Sequence, residues 1–264
     1  MTCFDGIVWN FTPLFRDAEN PTEWDSSAYH YCLLPATTPS PQFKAMSEST
    51  EEVELDLKLI DRSRLPEVLS KASAAEHSVA LIHPERCDFL LPTLTATAKL
   101  RVAGDLGDYC FLANQGAQLE VEGDVGHACG QAQRSGNIVV HGNAGPCLGS
   151  FLGGGWVAVY GSAGARCGAG LSSGEVIVRG SVGAEAAYEM RGGTLVVGGS
   201  AGADLGMGMS GGVIFVRGDV ESIGNHLEEF RLKEADRFRL GLLMLKAGIK
   251  AIGKDFRGFR RLPS

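Results

Sequence analysis

Short runs of alternating apolar and polar residues recur along the chain from residue 100 onward. The apolar members form pairs two residues apart, and each pair follows the last by 19 residues. An alternation rich in Val and Ile predicts short strands with one buried face. The pairs are Leu100/Val102, Leu119/Val121, Ile138/Val140, Val157/Val159, Val176/Val178, Leu195/Val197 and Ile214/Val216.

A glycine followed by Asp, Asn or Ser comes shortly after each of these strands, again every 19 residues. Glycine admits positive φ, and a short polar side chain satisfies local backbone groups, so the pair predicts a turn. Further glycine columns lie three and thirteen positions later. The leading pairs are Gly104-Asp105, Gly123-Asp124, Gly142-Asn143, Gly161-Ser162, Gly180-Ser181, Gly199-Ser200 and Gly218-Asp219.

The length of this unit decides the fold class. A repeat of 19 residues is shorter than the roughly 30 residues of a strand–helix–strand unit. We therefore predict an all-β fold at 104–225, a parallel (right-handed) β-helix of about seven turns whose strands stack about 4.8 Å apart. A second inward column is expected two places after each leading glycine, at Leu106, Val125, Ala144, Ala163, Val182 and Ala201.

Such a stack needs a cap at each end. Residues 53–103 are predicted to form a small α/β cap, with strands at 53–59 and 78–83 and a helix at 65–75. A C-terminal region at 226–264 contains a predicted helix at 233–246, with Gly248 as its stop. Because Ala235, Phe238, Leu242 and Leu245 have helical spacing, we expect this helix to cover the last turn.

Residues 1–52 form a polar arm ahead of the stack. The arm is either a loosely ordered extension or a segment that docks on a partner through its aromatic residues. The glycine content supports a boundary, since only Gly6 of the 36 glycines precedes residue 104. The aromatic residues are Trp9, Phe11, Phe15, Trp24, Tyr29 and Tyr31.

The net charge of −7 argues against a nucleic-acid binder. From Glu228 onward, however, ten Lys and Arg face five Asp and Glu. The last basic residues, Lys254, Arg257, Arg260 and Arg261, are either a solvated tail or a docking site for an acidic partner. No apolar run is long enough to span a membrane. Because there is no secretory signal and the seven cysteines lack paired spacing, we expect a cytoplasmic protein.

Three cysteines share one position of the repeat, six residues after the leading glycine: Cys110, Cys129 and Cys167. Stacked thiolates can bind zinc or iron–sulfur centres. Leucine or alanine fills the same position in other turns, however, which favours packing with cysteine as a small apolar residue. The sequence therefore predicts no metal site.

Other chemical motifs also fall on the repeat. Residues 206–211 fit the dinucleotide fingerprint G-x-G-x-x-G, but no helix is predicted after them. The serines of two G-x-S-x-G motifs, Ser172 and Ser210, precede strands of the repeat rather than the helix of a nucleophile elbow. His127 and His141 have no evident acidic partner and are predicted to be surface residues. We therefore expect no catalytic and no cofactor-binding residue.

The turns resemble those of the GXGXG-motif β-helix family. The similar segments are GDVG at 123–126, GNAG at 142–145 and MSGGVIFVRG at 209–218. The family includes the C-terminal domain of glutamate synthase large subunits and its stand-alone relatives. It also includes the β-helical subunit of formylmethanofuran dehydrogenase and its counterpart in the formyltransferase/hydrolase complex. VESIG at 220–224 and the charged helix after it look more like the glutamate-synthase branch.

This resemblance implies a non-catalytic scaffold protein that holds larger catalytic subunits in fixed relation. It implies that flavin, iron–sulfur or metal centres belong to those partners and that none is bound by this chain. The first expectation is a glutamate-synthase-like enzyme. The alternative is the β-helical subunit of a formylmethanofuran dehydrogenase or formyltransferase/hydrolase complex in one-carbon metabolism. A second alternative is an independent β-helix hydrolase or lyase, although Glu120, Glu122 and Glu175 are scattered rather than stacked.

Overall fold

A computed structural model describes residues 3–4, 7–8, 52–74, 77–94, 98–246, 248 and 255–262. The chain divides into two compact units, Met1–Ser49 and Thr50–Ser264. In the first unit, β1 (Cys3–Phe4) and β2 (Ile7–Val8) form an antiparallel pair. The remainder of the predicted arm up to residue 51, including its six aromatic residues, lies outside the described residues.

The second unit is built on a single sheet of eleven strands, counted over the described residues. Its strands from β3 to β11 pair in chain order, and every one of these pairs is parallel. The predicted parallel β-helix of about seven turns of 19 residues is therefore confirmed. The elements are β3 (Glu52–Asp56), a 3₁₀ turn (Arg62–Arg64), α1 (Leu65–Ala74), β4 (Ser78–Ile82), β5 (Lys99–Ala103), β6 (Gln115–Val121), β7 (Ser135–Val140), β8 (Trp156–Val159), β9 (Glu175–Val178), β10 (Thr194–Val197), β11 (Val213–Val216), β12 (Leu227–Phe230), α2 (Glu234–Lys246) and β13 (Arg257–Arg261).

The interior of the stack is formed by columns of side chains that repeat from turn to turn. The predicted strand pairs from Leu100/Val102 to Ile214/Val216 are all buried. The column two places after each leading glycine is also buried, and it forms bridges such as Val125 to Ala144 between successive turns. Both predicted columns are confirmed, because residues at the same position of the repeat face the same side of the coil in every turn.

The polar residues after the leading glycines bond between turns rather than within them. The Asp105 carboxylate accepts from the main-chain N–H of Asp124 at 2.9 Å, and the Asp124 carboxylate accepts from Asn143 at 2.7 Å. The same bond continues through Asn143, Ser162, Ser181 and Ser200 to Asp219. The predicted local turn bond is therefore wrong. Each side chain instead reaches the next turn, which stacks about 4.8 Å away.

At one corner of every complete turn, alternate residues have positive φ. In one turn, Ala128, Gly130 and Ala132 have φ of 56°, 66° and 57°. The N–H of Ala128 donates to Pro146 in the next turn, whereas that of Gly130 donates to Cys110 in the previous one. Left-handed φ costs a non-glycine residue about 1–2 kcal/mol. The corner is therefore held by bonds to the turns on both sides.

The predicted N-terminal cap has the expected strand–helix–strand order, in β3, α1 and β4. Its strands, however, continue the sheet of the stack, with β4 parallel to both β3 and β5. Its interior is likewise apolar, with Leu55, Leu69 and Leu81 buried. The change in glycine content at residue 104 is therefore a change in composition and not a break in the sheet.

Helix α2 lies on the outer face of the sheet rather than over its end. Its buried residues Leu240, Leu243 and Met244 pack in one apolar cluster with Ala158, Ile177, Val196 and Phe215. The predicted helix and its stop are confirmed, since Gly248 has φ of 60°. The predicted covering face is wrong, because Ala235, Phe238, Leu242 and Leu245 are exposed. The outward residues of β8–β11 are apolar and require a second layer.

Arg257, Arg260 and Arg261 of the C-terminal basic run lie in β13, so this part of the run is a paired strand and not a solvated tail. This strand lies between β11 and β12 and is antiparallel to both. Phe259 is its buried anchor and pairs with Ile214 on one side and with Glu229 on the other.

The two helices of the described residues are too short or too polar to cross a bilayer.

Candidate partner-binding site

A basic groove opens where β12, α2 and β13 meet. Three arginines line it from different elements: Arg231 follows β12, Arg237 lies in the first turns of α2, and Arg257 begins β13. The groove has a volume of about 420 Å³. Phe230 and Phe256 form an apolar wall of the groove, and Glu229 is the acidic residue of its lining. The reversal of the chain at β13 is what brings these residues together.

The charges in this groove are unbalanced. The guanidinium of Arg257 lies 3.6 Å from the Glu229 carboxylate and donates to the main-chain oxygen of Gly218 at 2.9 Å. Within the described part of the chain, the guanidinium groups of Arg231 and Arg237 have no ion-pair partner. Arginine forks bind carboxylates through paired hydrogen bonds. The groove is therefore suited to acidic groups.

An apolar stripe lies beside this groove on the outward side of α2. Phe238 is 72% exposed, Leu242 50% and Leu245 73%. Two basic residues along the stripe tie the helix to the sheet: Arg239 donates to the Thr194 hydroxyl at 2.8 Å, and Lys246 to the Glu175 carboxylate at 3.1 Å. The helix is thus fixed on one face and open on the other.

The structure divides the predicted basic residues between two grooves. Arg257 faces the basic groove, while Arg260 and Arg261 line a second groove of about 360 Å³ with Ser210. Arg260 also donates to Glu228 at 2.9 Å. Lys254 lies outside the described residues. Alternation along β13 places Arg257 and Arg260 on opposite faces, and the docking role of the four basic residues stays a prediction.

The thiol column is part of the buried interior. Cys110, Cys129 and Cys167 are each fully buried. Burial raises the pKa of Cys110 and of Cys167 to about 12, and it also raises the pKa of Cys129. Their predicted packing role is confirmed. Among the described residues, no group of three His, Cys, Asp or Glu lies close enough to hold a metal ion.

A polar cluster occupies the outer face of the sheet beyond α2. The Nε2 atom of His141 lies 2.6 Å from Oε1 of Glu120, and its ring meets that of Tyr160 edge-on at 4.8 Å. The prediction that His141 lacks an acidic partner is therefore wrong. Burial, together with the charge of Glu120, raises the pKa of Tyr160.

The carboxylates near this cluster bond to different partners. Arg101 donates to Glu122 at 2.7 Å, whereas Glu120 contacts His141. The third predicted carboxylate, Glu175, bonds Lys246 instead. The other predicted histidine, His127, is a half-buried residue whose ring packs against Tyr109 at 5.4 Å. Their scattered placement matches the sequence interpretation.

The glycine and serine motifs are structural parts of the repeat, as predicted. Gly206 and Gly208 have φ of 67° and 71°, and β11 follows them instead of a helix. Ser172 donates to the main-chain oxygen of Leu152 in the preceding turn at 3.3 Å and is followed by β9. Ser210 precedes β11 in the same way. Neither serine stands on a nucleophile elbow.

Comparison with known proteins gives this chain no family. No protein-family model and no curated protein matches it. The resemblance carried by GDVG at 123–126 and the related turns therefore stays a prediction.

Proposed function

We propose that the chain is a non-catalytic scaffold within a glutamate-synthase-like multi-subunit enzyme in the cytoplasm. In this proposal it holds larger catalytic subunits in fixed relation, and those partners carry any flavin, iron–sulfur or metal centre. The supporting observation is that α2 has one buried apolar face and one exposed apolar face. One face is locked into the apolar cluster with Ile177 and Phe215, while the other presents Phe238, Leu242 and Leu245 to solvent.

The stack itself supports the same role. Every turn bonds to the turns on either side through its strands, its polar ladder and its alternating corner. Side chains that fill the interior at crystal-like density resist deformation. A partner bound to α2 is therefore held at a constant position relative to the rest of the sheet.

The test is native purification of the tagged full-length chain from cells that produce it. We expect larger subunits in fixed stoichiometry, measured by native mass spectrometry. Amidotransferase and flavin-bearing synthase subunits support the glutamate-synthase proposal. Formylmethanofuran dehydrogenase or formyltransferase/hydrolase subunits support the alternative, the β-helical member of such a complex in one-carbon metabolism. A chain found only as a free monomer would contradict both.

A second candidate is an independent hydrolase or lyase that acts on an extended polymer. The observation that favours it is the contact of His141 with Glu120 on the outer face of the stack, where such enzymes bind their substrates. The test is an assay of the purified chain on polysaccharides, with His141→Gln as the matched variant. Turnover that requires His141 would replace the scaffold proposal.

A further inference from the structure

Helix α2 has two apolar faces on opposite sides of its axis. At about 100° per residue, Leu240, Leu243 and Met244 point toward the sheet, whereas Ala235, Phe238, Leu242 and Leu245 lie on the opposite side. The first set is buried and the second is exposed. A surface helix normally needs only one apolar face. The second face is therefore more than the fold of this chain requires.

The spacing of the exposed stripe is that of a helix-pairing seam. Its members, Ala235, Phe238, Leu242 and Leu245, are separated by three, four and three residues. This is the a/d pattern by which two helices interlock. Gly241 lies beside the seam, and a Cβ placed there meets nothing within 4 Å. The absence of a side chain there lets a second helix approach closely.

The charges beside the stripe determine what kind of helix fits. Arg239 and Lys246 follow one edge but already bond Thr194 and Glu175, so the basic groove holds the open charges, Arg231 and Arg237. Glu234 is the acidic residue at the start of the other edge. A second copy of this chain would offer the same arginine-lined groove rather than the carboxylates that this groove suits, which disfavours it as the occupant. An apolar helix with Asp and Glu beside its apolar residues is complementary to the stripe and to the basic groove.

We propose that the exposed face of α2, with the basic groove beside it, binds an amphipathic helix of a partner protein whose apolar residues are flanked by Asp and Glu. This inference rests on the proposed scaffold function and specifies its partner surface. Apolar anchors at the centre of an interface supply most of the affinity, so Phe238, Leu242 and Leu245 dominate. The arginines orient the partner and speed its association.

The first experiment repeats the native purification with a triple variant of the full-length chain, Phe238→Ser, Leu242→Ser and Leu245→Ser. We expect at least a tenfold loss of captured partner, since these side chains are exposed in the free chain and their loss leaves the fold intact. Leu59→Ser is the matched control, because Leu59 is 84% exposed outside α2. Circular dichroism melting of each variant verifies the fold.

The second experiment identifies the occupant directly. A photo-cross-linking residue replaces Glu234, which is exposed at the edge of the stripe, and the cross-linked peptide of the native complex is sequenced by mass spectrometry. We expect a helical segment with apolar residues three and four apart and more Asp and Glu than Lys and Arg. Arg237→Glu should reduce capture several-fold while leaving the melting temperature unchanged.

The outcomes separate this inference from the proposed function. If wild type carries partners that the triple variant retains, the α2 inference is overturned and the scaffold proposal survives. If wild type carries no partner, the scaffold proposal fails and this inference fails with it. A cross-link to a second copy of the chain, or to a basic or extended segment, overturns the inference alone.

Discussion

The outer face of the sheet is polar over β5 and β6 and apolar over β8–β11, although the inner face is the same throughout. The outward residue at the middle of each strand marks the difference. Arg101 and Glu120 occupy this position first, followed by half-buried Val139. Ala158, Ile177, Val196 and Phe215 then occupy it in the four turns under α2. One repeat thus forms two kinds of surface.

The inward residues build the stack, whereas the outward residues determine what is attached to it. Inward columns and glycine turns occur in both halves, so they specify the coil. The outward column changes without disturbing them, because alternate residues of a strand face opposite sides. In the covered half it supports a helix that carries an exposed stripe, while in the uncovered half it carries ion pairs. Surface function can therefore vary along a constant interior.

The largest expected loss of stability comes from filling a glycine turn, and it should be equal in the two halves. A Cβ on Gly123 would lie 2.6 Å from the carbonyl carbon of Gly104, and one on Gly199 would lie 2.7 Å from that of Gly180. Gly123→Ala and Gly199→Ala should therefore each lower the free energy of unfolding by about 3 kcal/mol, measured by urea denaturation. Gly241→Ala is the control and should be slightly stabilising. Unequal losses would mean that the two halves do not share one coil.

The next effect should differ between the halves. Val196 and Val139 occupy the same outward position, but Val196 is fully buried under α2 and Val139 is not. Val196→Ala should cost about 2–3 kcal/mol of unfolding free energy, because it loses burial and leaves a cavity. Val139→Ala should cost under about 1 kcal/mol. Similar losses in urea denaturation would show that α2 does not cover this face in solution.

The smallest effect belongs to the polar half. Arg101 bonds both Glu52 oxygens at 3.1 Å and Glu122 at 2.7 Å, so it joins β3 to β6 across the outer face. Since these groups are partly exposed, Arg101→Ala should cost about 1 kcal/mol or less. The difference from wild type should shrink in about 1 M salt, where exposed charges are screened. A loss that salt does not change would assign Arg101 a packing role instead.

The repeat could be predicted from sequence because every turn contains apolar residues and glycines at the same positions. Leu119 and Val121 alone indicate a strand, whereas seven such pairs at one interval leave a stack as the simplest solution. The thiol column could be interpreted in the same way, since Leu148 shares its position. The GXGXG resemblance concerns these same turns and therefore predicted the fold without testing the function.

The orientation of α2 could not be predicted from the helix alone. Both Leu240/Leu243/Met244 and the exposed stripe have helical spacing, so hydrophobicity does not choose between them. The deciding residues were in the strands, where apolar Ile177 and Val196 at outward positions indicate burial on both faces. That pattern was present in the sequence.

Two groups of residues differ in whether the sequence predicts that they come together. His141 is paired with Glu120 because their strands are neighbours and the two residues sit diagonally, a relation that follows from the repeat. The basic groove is different. Arg231 and Arg257 meet only because β13 reverses direction, and nothing in the repeat predicts a reversal.

That reversal also marks one limit of the parallel stack. Nine parallel strands from β3 to β11 span eight steps of about 4.8 Å, or about 38 Å. Antiparallel β13 follows β11, and β12 pairs with the other edge of β13, so the run of parallel pairs ends at β11. At the other side, the edge strand β3 exposes Glu52 and Glu54, whose charges discourage a further strand. The number of turns between these two limits therefore sets the distance between anything bound at one end of the parallel stack and anything bound at the other.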